Sequence, residues 1–254
     1  MNSTPLTGTT AVVTGAGRGF GRAIATALVG AGAHVVGVAR TREALEQVRE
    51  SLDPAGTGAF VPHAADATDP NVAGAVLDEY RPNLLVLNAG VSPLSRPLHH
   101  HTWETFSAPW QVDVKQAFHW TREALLMPLA PGSLVVALSS GAAVMGSPVS
   151  GGYAGAKATV RFVMAYAADE SERGGFGIRF TAVLPQLTPA TGLGERAVAA
   201  YAARAGMDVE TFLKERTPLL TAERVGEAVL ELATSSTPPR AASMLTAAGL
   251  TPAP

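Results

Sequence analysis

The stretch TAVVTGAGRGFG, residues 10–21, decides the fold. Its first five residues form a short apolar strand, the glycines follow at once, and a helical run from about Phe20 to Val29 comes next. Small residues at such a strand-to-helix turn let the backbone approach a ligand closely. The helix start adds unpaired N–H groups and the positive end of its dipole, and both suit a pyrophosphate. The spacing departs from G-x-G-x-x-G because Phe20 stands where the last glycine would fall, and no Lys-Ser/Thr pair follows to make a P-loop. Gly15, Gly19 and Gly21 are the set that matters for close approach.

Outward from this turn, short apolar strands and helical segments alternate. Strands are expected at 10–14, 34–39, 59–64, 83–89, 133–139 and 177–184, and ASMLTA (242–247) supplies a last one. Helices are expected at 42–52, 71–80, 103–126, 152–172 and 221–233, with 185–220 read as irregular. Mainly apolar strands separated by helices form a parallel sheet covered on both faces. With right-handed crossovers this is a single-domain α/β, Rossmann-like, doubly wound fold over residues 1–254.

Composition narrows the function. The chain has 254 residues, 47% of them hydrophobic, enough for a substantial core. A formal net charge of -2 gives no electrostatic reason for a nucleic-acid partner or an acidic membrane surface. Without cysteine, disulfides, thiolate nucleophiles and cysteine-based zinc sites are excluded. No apolar run reaches the length of a membrane span, and MNSTPLTGTT lacks the regions of a signal peptide. A cytoplasmic protein is expected. His99, His100 and His101 are consecutive, which suits a polar loop better than a metal site, so no metal is expected.

The second strand ends VGVAR. The acid that normally binds the ribose hydroxyls of an unphosphorylated nicotinamide cofactor is missing, and Ala39 and Arg40 stand there instead. Arg40, with Arg18 from the glycine turn, fits a 2′-phosphate by charge and forked donors. NADP(H) is therefore favoured over NAD(H), with the alternative that both arginines are ordinary surface residues. Asp66, after the third strand, either accepts from an adenine amino group or caps a helix.

A fourth observation concerns Lys157. The lysines are only Lys115, Lys157 and Lys214, yet one stands four residues after Tyr153, on the same helix face. TGAGRGFG, LNAG at 87–90, Ser140 thirteen residues before Tyr153, and YAGAK at 153–157 together resemble the short-chain dehydrogenase/reductase family. The resemblance runs from about residue 8 to about residue 235, and the tail lacks the aspartate and paired glycines that often close the family.

That resemblance implies an oxidoreductase interconverting a ketone or aldehyde and an alcohol. It makes Tyr153 the general acid/base, Ser140 the residue that holds the substrate oxygen, and Lys157 the cation that tunes the phenol and binds the nicotinamide ribose. A free phenol has a pKa of about 10, and a nearby ammonium is expected to lower it. The implied cofactor-binding residues are Gly15, Arg18, Gly19, Phe20, Gly21, Arg40, Asp66, Asn88, Ala89, Gly90, Tyr153, Lys157, Pro185 and Thr188. Asn88 has the alternative role of a cap. Neighbouring Ser139 faces the other way in the strand, and the family's spacing selects Ser140.

Two departures stand out. Asp113 occupies the place of an asparagine that kinks the family's helix and completes a catalytic tetrad, and Gln186 replaces the glycine of a Pro-Gly pair. With aspartate at 113, activity is expected to survive with a changed pH profile. Gln186 is expected to narrow the nicotinamide pocket or reroute its loop. Thr188 is read as the threonine that touches the carboxamide, and residues 186–216 as a substrate lid. The histidine loop is placed near the pocket mouth, Met145 is read as a residue that touches substrate, and the apolar loops point to a hydrophobic small-molecule substrate. Family resemblance further implies a homodimer or homotetramer packed through the helices at 103–126 and 152–172. The competing readings are an NAD-linked enzyme of the same fold and a dinucleotide-binding sensor with little catalysis.

Overall fold

Alternating strand and helix resolve into one eight-stranded sheet of order β3-β2-β1-β4-β5-β6-β7-β8 in a computed structural model that describes residues 5–52 and 58–254. The opening residues 1–4, included in the N-terminal reading above, lie outside the described residues. Strands β1 (Thr10–Thr14), β2 (His34–Ala39), β3 (Ala59–Ala64), β4 (Leu84–Leu87), β5 (Leu134–Leu138), β6 (Arg179–Pro185) and β7 (Ala242–Thr246) run parallel. β8 (Gly249–Pro252) returns antiparallel to β7 through a short turn that the sequence reading did not include.

Adjacent valines show how the strands build two cores. Val12 and Val13 point to opposite faces, as the strand period demands, and both are fully buried. On one face α1 (Gly19–Gly30), α2 (Arg42–Glu50) and α10 (Ala222–Thr234) pack Ile24, Leu28, Leu45, Val225 and Val229 with Val13. On the other, α3 (Pro70–Tyr80), α5 (Lys115–Leu126) and α7 (Gly151–Gly174) pack Val76, Trp120, Val160 and Met164 with Val12. The buried Trp120 satisfies its indole N–H by donating to the Ala67 carbonyl at 2.9 Å, which ties α5 to the end of β3.

Two predicted regions differ from the structure. The helix expected over 103–126 is divided: α4 (Trp103–Pro109) passes through a π-turn at Trp110–Val114 before α5 begins. The region 185–220, expected to be irregular, contains α6's successors α8 (Gly192–Ala205) and α9 (Val209–Lys214), α6 itself being the short Ala142–Met145 helix after β5. Thr191 caps α8 by accepting from the Gly194 N–H at 3.0 Å, and Gly206 ends it in the left-handed region at φ 68°. Asp208 caps α9, accepting from the Thr211 N–H at 2.8 Å. Among the described residues, no helix is long and apolar enough to cross a membrane.

Strand order reverses between β1 and β4, so the loops leaving their C-terminal ends diverge and open a crevice there.

Candidate active site

Thr14, at the end of β1, organises the bottom of this crevice. Its hydroxyl accepts from the main-chain N–H groups of Asn88 at 2.9 Å and Ala89 at 3.1 Å. The Asn88 amide donates back to the carbonyls of Thr14 at 3.0 Å and Gly15 at 3.2 Å, so Asn88 ties β4 to the glycine turn. That tie requires the glycines. A Cβ on Gly15 would lie 2.8 Å from the Asn88 amide nitrogen, and one on Gly21 would overlap the Gly15 carbonyl oxygen. Gly15 and Gly19 also take positive φ, 68° and 53°.

The resulting cleft has a volume of about 920 Å³. Gly15, Arg18, Gly19, Phe20, Arg40 and Asp66 line one end, Asn88, Ala89 and Gly90 the middle, and Asp113, Ser140, Tyr153, Lys157 and Pro185 the other. Gly21 lies behind the lining, where it serves packing. The cleft fits a dinucleotide on two counts. Arg18 stands at the N-cap of α1 without a side-chain cap bond, so the first-turn N–H groups keep no side-chain partner there. Arg18 and Arg40 are exposed on the same cleft and enter no ion pair among the described residues, which leaves their charge open to an anionic ligand. Asp66 lines the cleft while one of its oxygens accepts from the Thr68 N–H and hydroxyl, both at 2.9 Å. The Thr68 N–H foremost holds its carboxyl below the usual range. Helix capping falls to Asp69, which accepts from the Asn71 N–H at 2.8 Å.

Thr188 is placed elsewhere than expected. It is buried, its hydroxyl donates to the Leu220 carbonyl and accepts from the Ala190 N–H at 3.2 Å, and it is not part of the cleft lining. Thr191, three residues on, lines the cleft instead, against Gly19. Gln186 follows β6 with its N–H bonded to the Leu245 carbonyl at 2.9 Å, and its φ is not positive. This backbone does not require glycine, and the Gln186 side chain is not in the lining, so it does not narrow the pocket.

At the chemical end, Ser139 and Ser140 follow β5 and both line the cleft. Ser139 is buried and donates to the Lys157 carbonyl at 2.7 Å, which fixes α7 against the end of β5, while Ser140 is the less buried of the two. Tyr153 and Lys157 stand one turn apart on α7, with the ammonium 5.6 Å from the phenol ring centroid. Lys157 Nζ donates to the Leu138 carbonyl at 2.8 Å and pairs with Asp113 Oδ2 at 3.0 Å. Asp113 Oδ1 accepts from the Val91 N–H at 2.9 Å. The π-turn carries Asp113 into this position. α4 and the π-turn lie close on α7 because Gly152 and Gly155 lack side chains: a Cβ on Gly155 would come 2.7 Å from the Trp110 ring.

Burial pulls the Lys157 ammonium down, but the Asp113 carboxylate and the Tyr153 phenol together hold it above the ordinary lysine range. The Tyr153 phenol departs from the sequence expectation of a lowered value. Burial pushes it up, Lys157 pulls it down, Asp113 pushes it up again, and the net direction is upward.

α8 also lines the cleft, and two side-chain bonds that the sequence reading did not include tie it to neighbouring loops. Arg196 donates to the Ser92 hydroxyl at 2.6 Å, and the Tyr201 hydroxyl donates to Ser147 at 2.6 Å. Met145 is 80% exposed, and the turn Leu98–His100 is exposed nearby in sequence to α4.

A family model described as short chain dehydrogenase matches residues 9–209. The chain belongs to that family. Versicolorin reductase 1 of Aspergillus parasiticus is 36% identical over 171 residues, 65% of this chain and 64% of that protein. Hydroxynaphthalene reductase of Aspergillus fumigatus is 31% identical over 176 residues, 67% of this chain and 64% of that protein. The matched stretch thus spans just under two thirds of the length of these relatives. Among solved structures, a metagenomic short-chain oxidoreductase in complex with NADP is similar at 26% identity and TM-score 0.70, covering 91% of this chain and 93% of that one. NAD+-bound xylitol dehydrogenase shares the fold at 21% identity and TM-score 0.80, covering 93% of this chain and 96% of that one.

Proposed function

We propose that this chain is an NADP-dependent oxidoreductase that interconverts a ketone or aldehyde and the corresponding alcohol. The observation that carries the reading is the convergence of Ser140, Tyr153 and Lys157 at one end of a cleft whose other end presents Arg18 and Arg40. A binding protein would have no use for a phenol set beside a buried ammonium.

Arg18, Arg40 and the first turn of α1 would hold the phosphates, and Asn88, Ala89 and Gly90 the middle of the cofactor. A bound reduced nicotinamide would supply the hydride for the carbonyl carbon. Ser140 donates to the carbonyl oxygen and keeps it within reach of Tyr153. The Tyr153 O–H bond breaks as its proton passes to that oxygen, and the phenolate regains a proton from water. Lys157 stabilises the transient phenolate and offers its one remaining N–H to the ribose hydroxyls. α8 and α9 act as a lid that excludes water from the substrate end. An apolar substrate suits these walls, and the hydroxynaphthalene of one relative's name is a flat aromatic of that kind. The exposed Phe118, Phe162 and Tyr166, on α5 and α7, support a homodimer or homotetramer through these helices.

The test is a titration with NADPH and with NADH, followed by the quench of tryptophan emission at low and high salt, and then a carbonyl screen with the tighter cofactor. Tight NADPH binding that weakens with salt is expected. Equal or tighter NADH binding would make the enzyme NAD-linked, and binding of neither would remove the oxidoreductase reading.

A further inference from the structure

Asp113 and Lys157 form the one ion pair with both partners buried among the described residues, at 1% and 7% side-chain exposure. Each partner is also oriented by main chain, Lys157 Nζ by the Leu138 carbonyl and Asp113 Oδ1 by the Val91 N–H, which leaves Asp113 Oδ2 to face the ammonium. Gly90 leaves the room, since a Cβ there would lie 2.9 Å from Asp113 Oδ2. An amide at position 113 would still accept from Val91, but it would bring no charge to Lys157. The carboxylate therefore does something that hydrogen bonding alone does not: it turns the ammonium into half of a neutral pair.

Taking the oxidoreductase reading as given, we infer that Asp113 is a positioning residue that acts through Lys157 to keep Tyr153 a proton donor. Carbonyl reduction then runs on its plateau at neutral pH, and alcohol oxidation reaches its own only in strong alkali.

The groups that face the phenol support this. Lys157 from its own helix favours the phenolate, and so does a hydrogen bond with Ser140 from the end of β5. Burial foremost opposes it, with Asp113 from the π-turn and Tyr201 from α8 on the same side, so the neutral phenol persists above the ordinary range. Asp113 does not alter the equilibrium between carbonyl and alcohol, which no catalyst can. It sets the pH at which each direction has its competent form of Tyr153, protonated for reduction and ionised for oxidation.

The test reads the phenol directly. The chain has only four tyrosines, so protein labelled with 13C at the tyrosine ring Cζ gives a short spectrum in which Tyr153→Phe assigns the signal of interest. Without cofactor, Tyr153 of the wild type is expected to remain neutral past pH 10, and Asp113→Asn to lower its midpoint by about one unit or more, a tenfold change in proton affinity. A wild-type midpoint below the ordinary tyrosine range would overturn the inference even if the variant did not fold. An unmoved midpoint in a folded variant would overturn it as well. In turnover, the acid limb of alcohol oxidation should move down with the midpoint. A chain that titrates as expected but reduces no carbonyl would sink the oxidoreductase reading and leave the Asp113–Tyr153 coupling standing. Turnover with an unmoved midpoint would do the reverse.

Discussion

The two ends of the cleft are built in opposite ways. At the end proposed for proton transfer the charges are interior: Lys157 and Asp113 are nearly inaccessible, and each is fixed by the main chain as well as by its partner. At the end proposed to take the phosphates the charges are exterior. Arg18 and Arg40 are exposed, and what shapes the site is the absence of side chains at Gly15 and Gly21. The difference follows from where the opposite charge comes from. A phenol that must give up a proton on cue needs a field already in place, and the protein supplies both members of the ion pair. A phosphate arrives with its own charge, so cations left in water have little desolvation to overcome until it binds.

Four substitutions would break or sharpen that contrast. The largest effect belongs to the interior end. Tyr153→Phe removes the proton donor while keeping the ring, and kcat for carbonyl reduction is expected to fall by about a thousandfold, within the range of general acid catalysis. Cofactor affinity should stay within about twofold of wild type, checked by the same fluorescence titration. Parallel loss of both would mean that Tyr153 holds the fold of the cleft rather than its chemistry.

Gly21→Ala comes second and tests the claim that missing side chains shape the phosphate end. Its Cβ would overlap main chain at Gly15 and crowd the Asn88 amide, neither of which can yield cheaply. A destabilisation of about 3 kcal/mol is expected for such overpacking, read from urea denaturation, with dinucleotide binding lost in the same variant.

Arg40→Ala is third. An exposed, salt-screened cation contributes less than a buried one, so NADPH binding should weaken roughly tenfold at low salt and less at high salt. NADH binding should be unchanged, and an equal loss for both cofactors would place Arg40 on the shared phosphates.

The same contrast explains what could be read in the chain beforehand. Glycine spacing, LNAG, and the Ser140, Tyr153 and Lys157 intervals mark positions where backbone geometry admits few residue types, and these were legible. The direction of the Tyr153 shift was not, because it is the balance of burial against two opposite charges brought together from separate elements. Thr188 and Thr191 show the limit for single residues. Both are threonines after Pro185, and only the contacts with Leu220 and Gly194 distinguish the buried one from the capping one. The helix α8 is different, since its signals were present. Thr191, an alanine-rich run and Gly206 form a start, a good helical interior and a stop, obscured by Pro189 and the glycines at 192 and 194. The β7–β8 hairpin gave a weaker signal, a Gly249 at φ 124° just after the turn and a proline, Pro252, ending the short last strand.

The smallest effect probes the boundary between the two regions, where α8 lies over the cleft. Tyr201 stacks on Phe212 of α9, with ring centroids 6.5 Å apart, and its hydroxyl reaches Ser147, which in turn shares a 2.7 Å bond with Ser150 at the start of α7. Phenylalanine at 201 would keep the stacking and lose only that bond, so global stability should change by about 1 kcal/mol or less. Local opening should respond more clearly, because α8 is attached to the body by few such bonds. Amide exchange in residues 192–205 is expected to quicken about fivefold in Tyr201→Phe, with exchange in β4 and β5 unaffected. A uniform change across the sheet would make Tyr201 part of the common core. Selective loosening would mean that the lid hangs from the rigid, proton-transferring half of the cleft, so that the same helix start that carries Tyr153 also determines how often the substrate end opens.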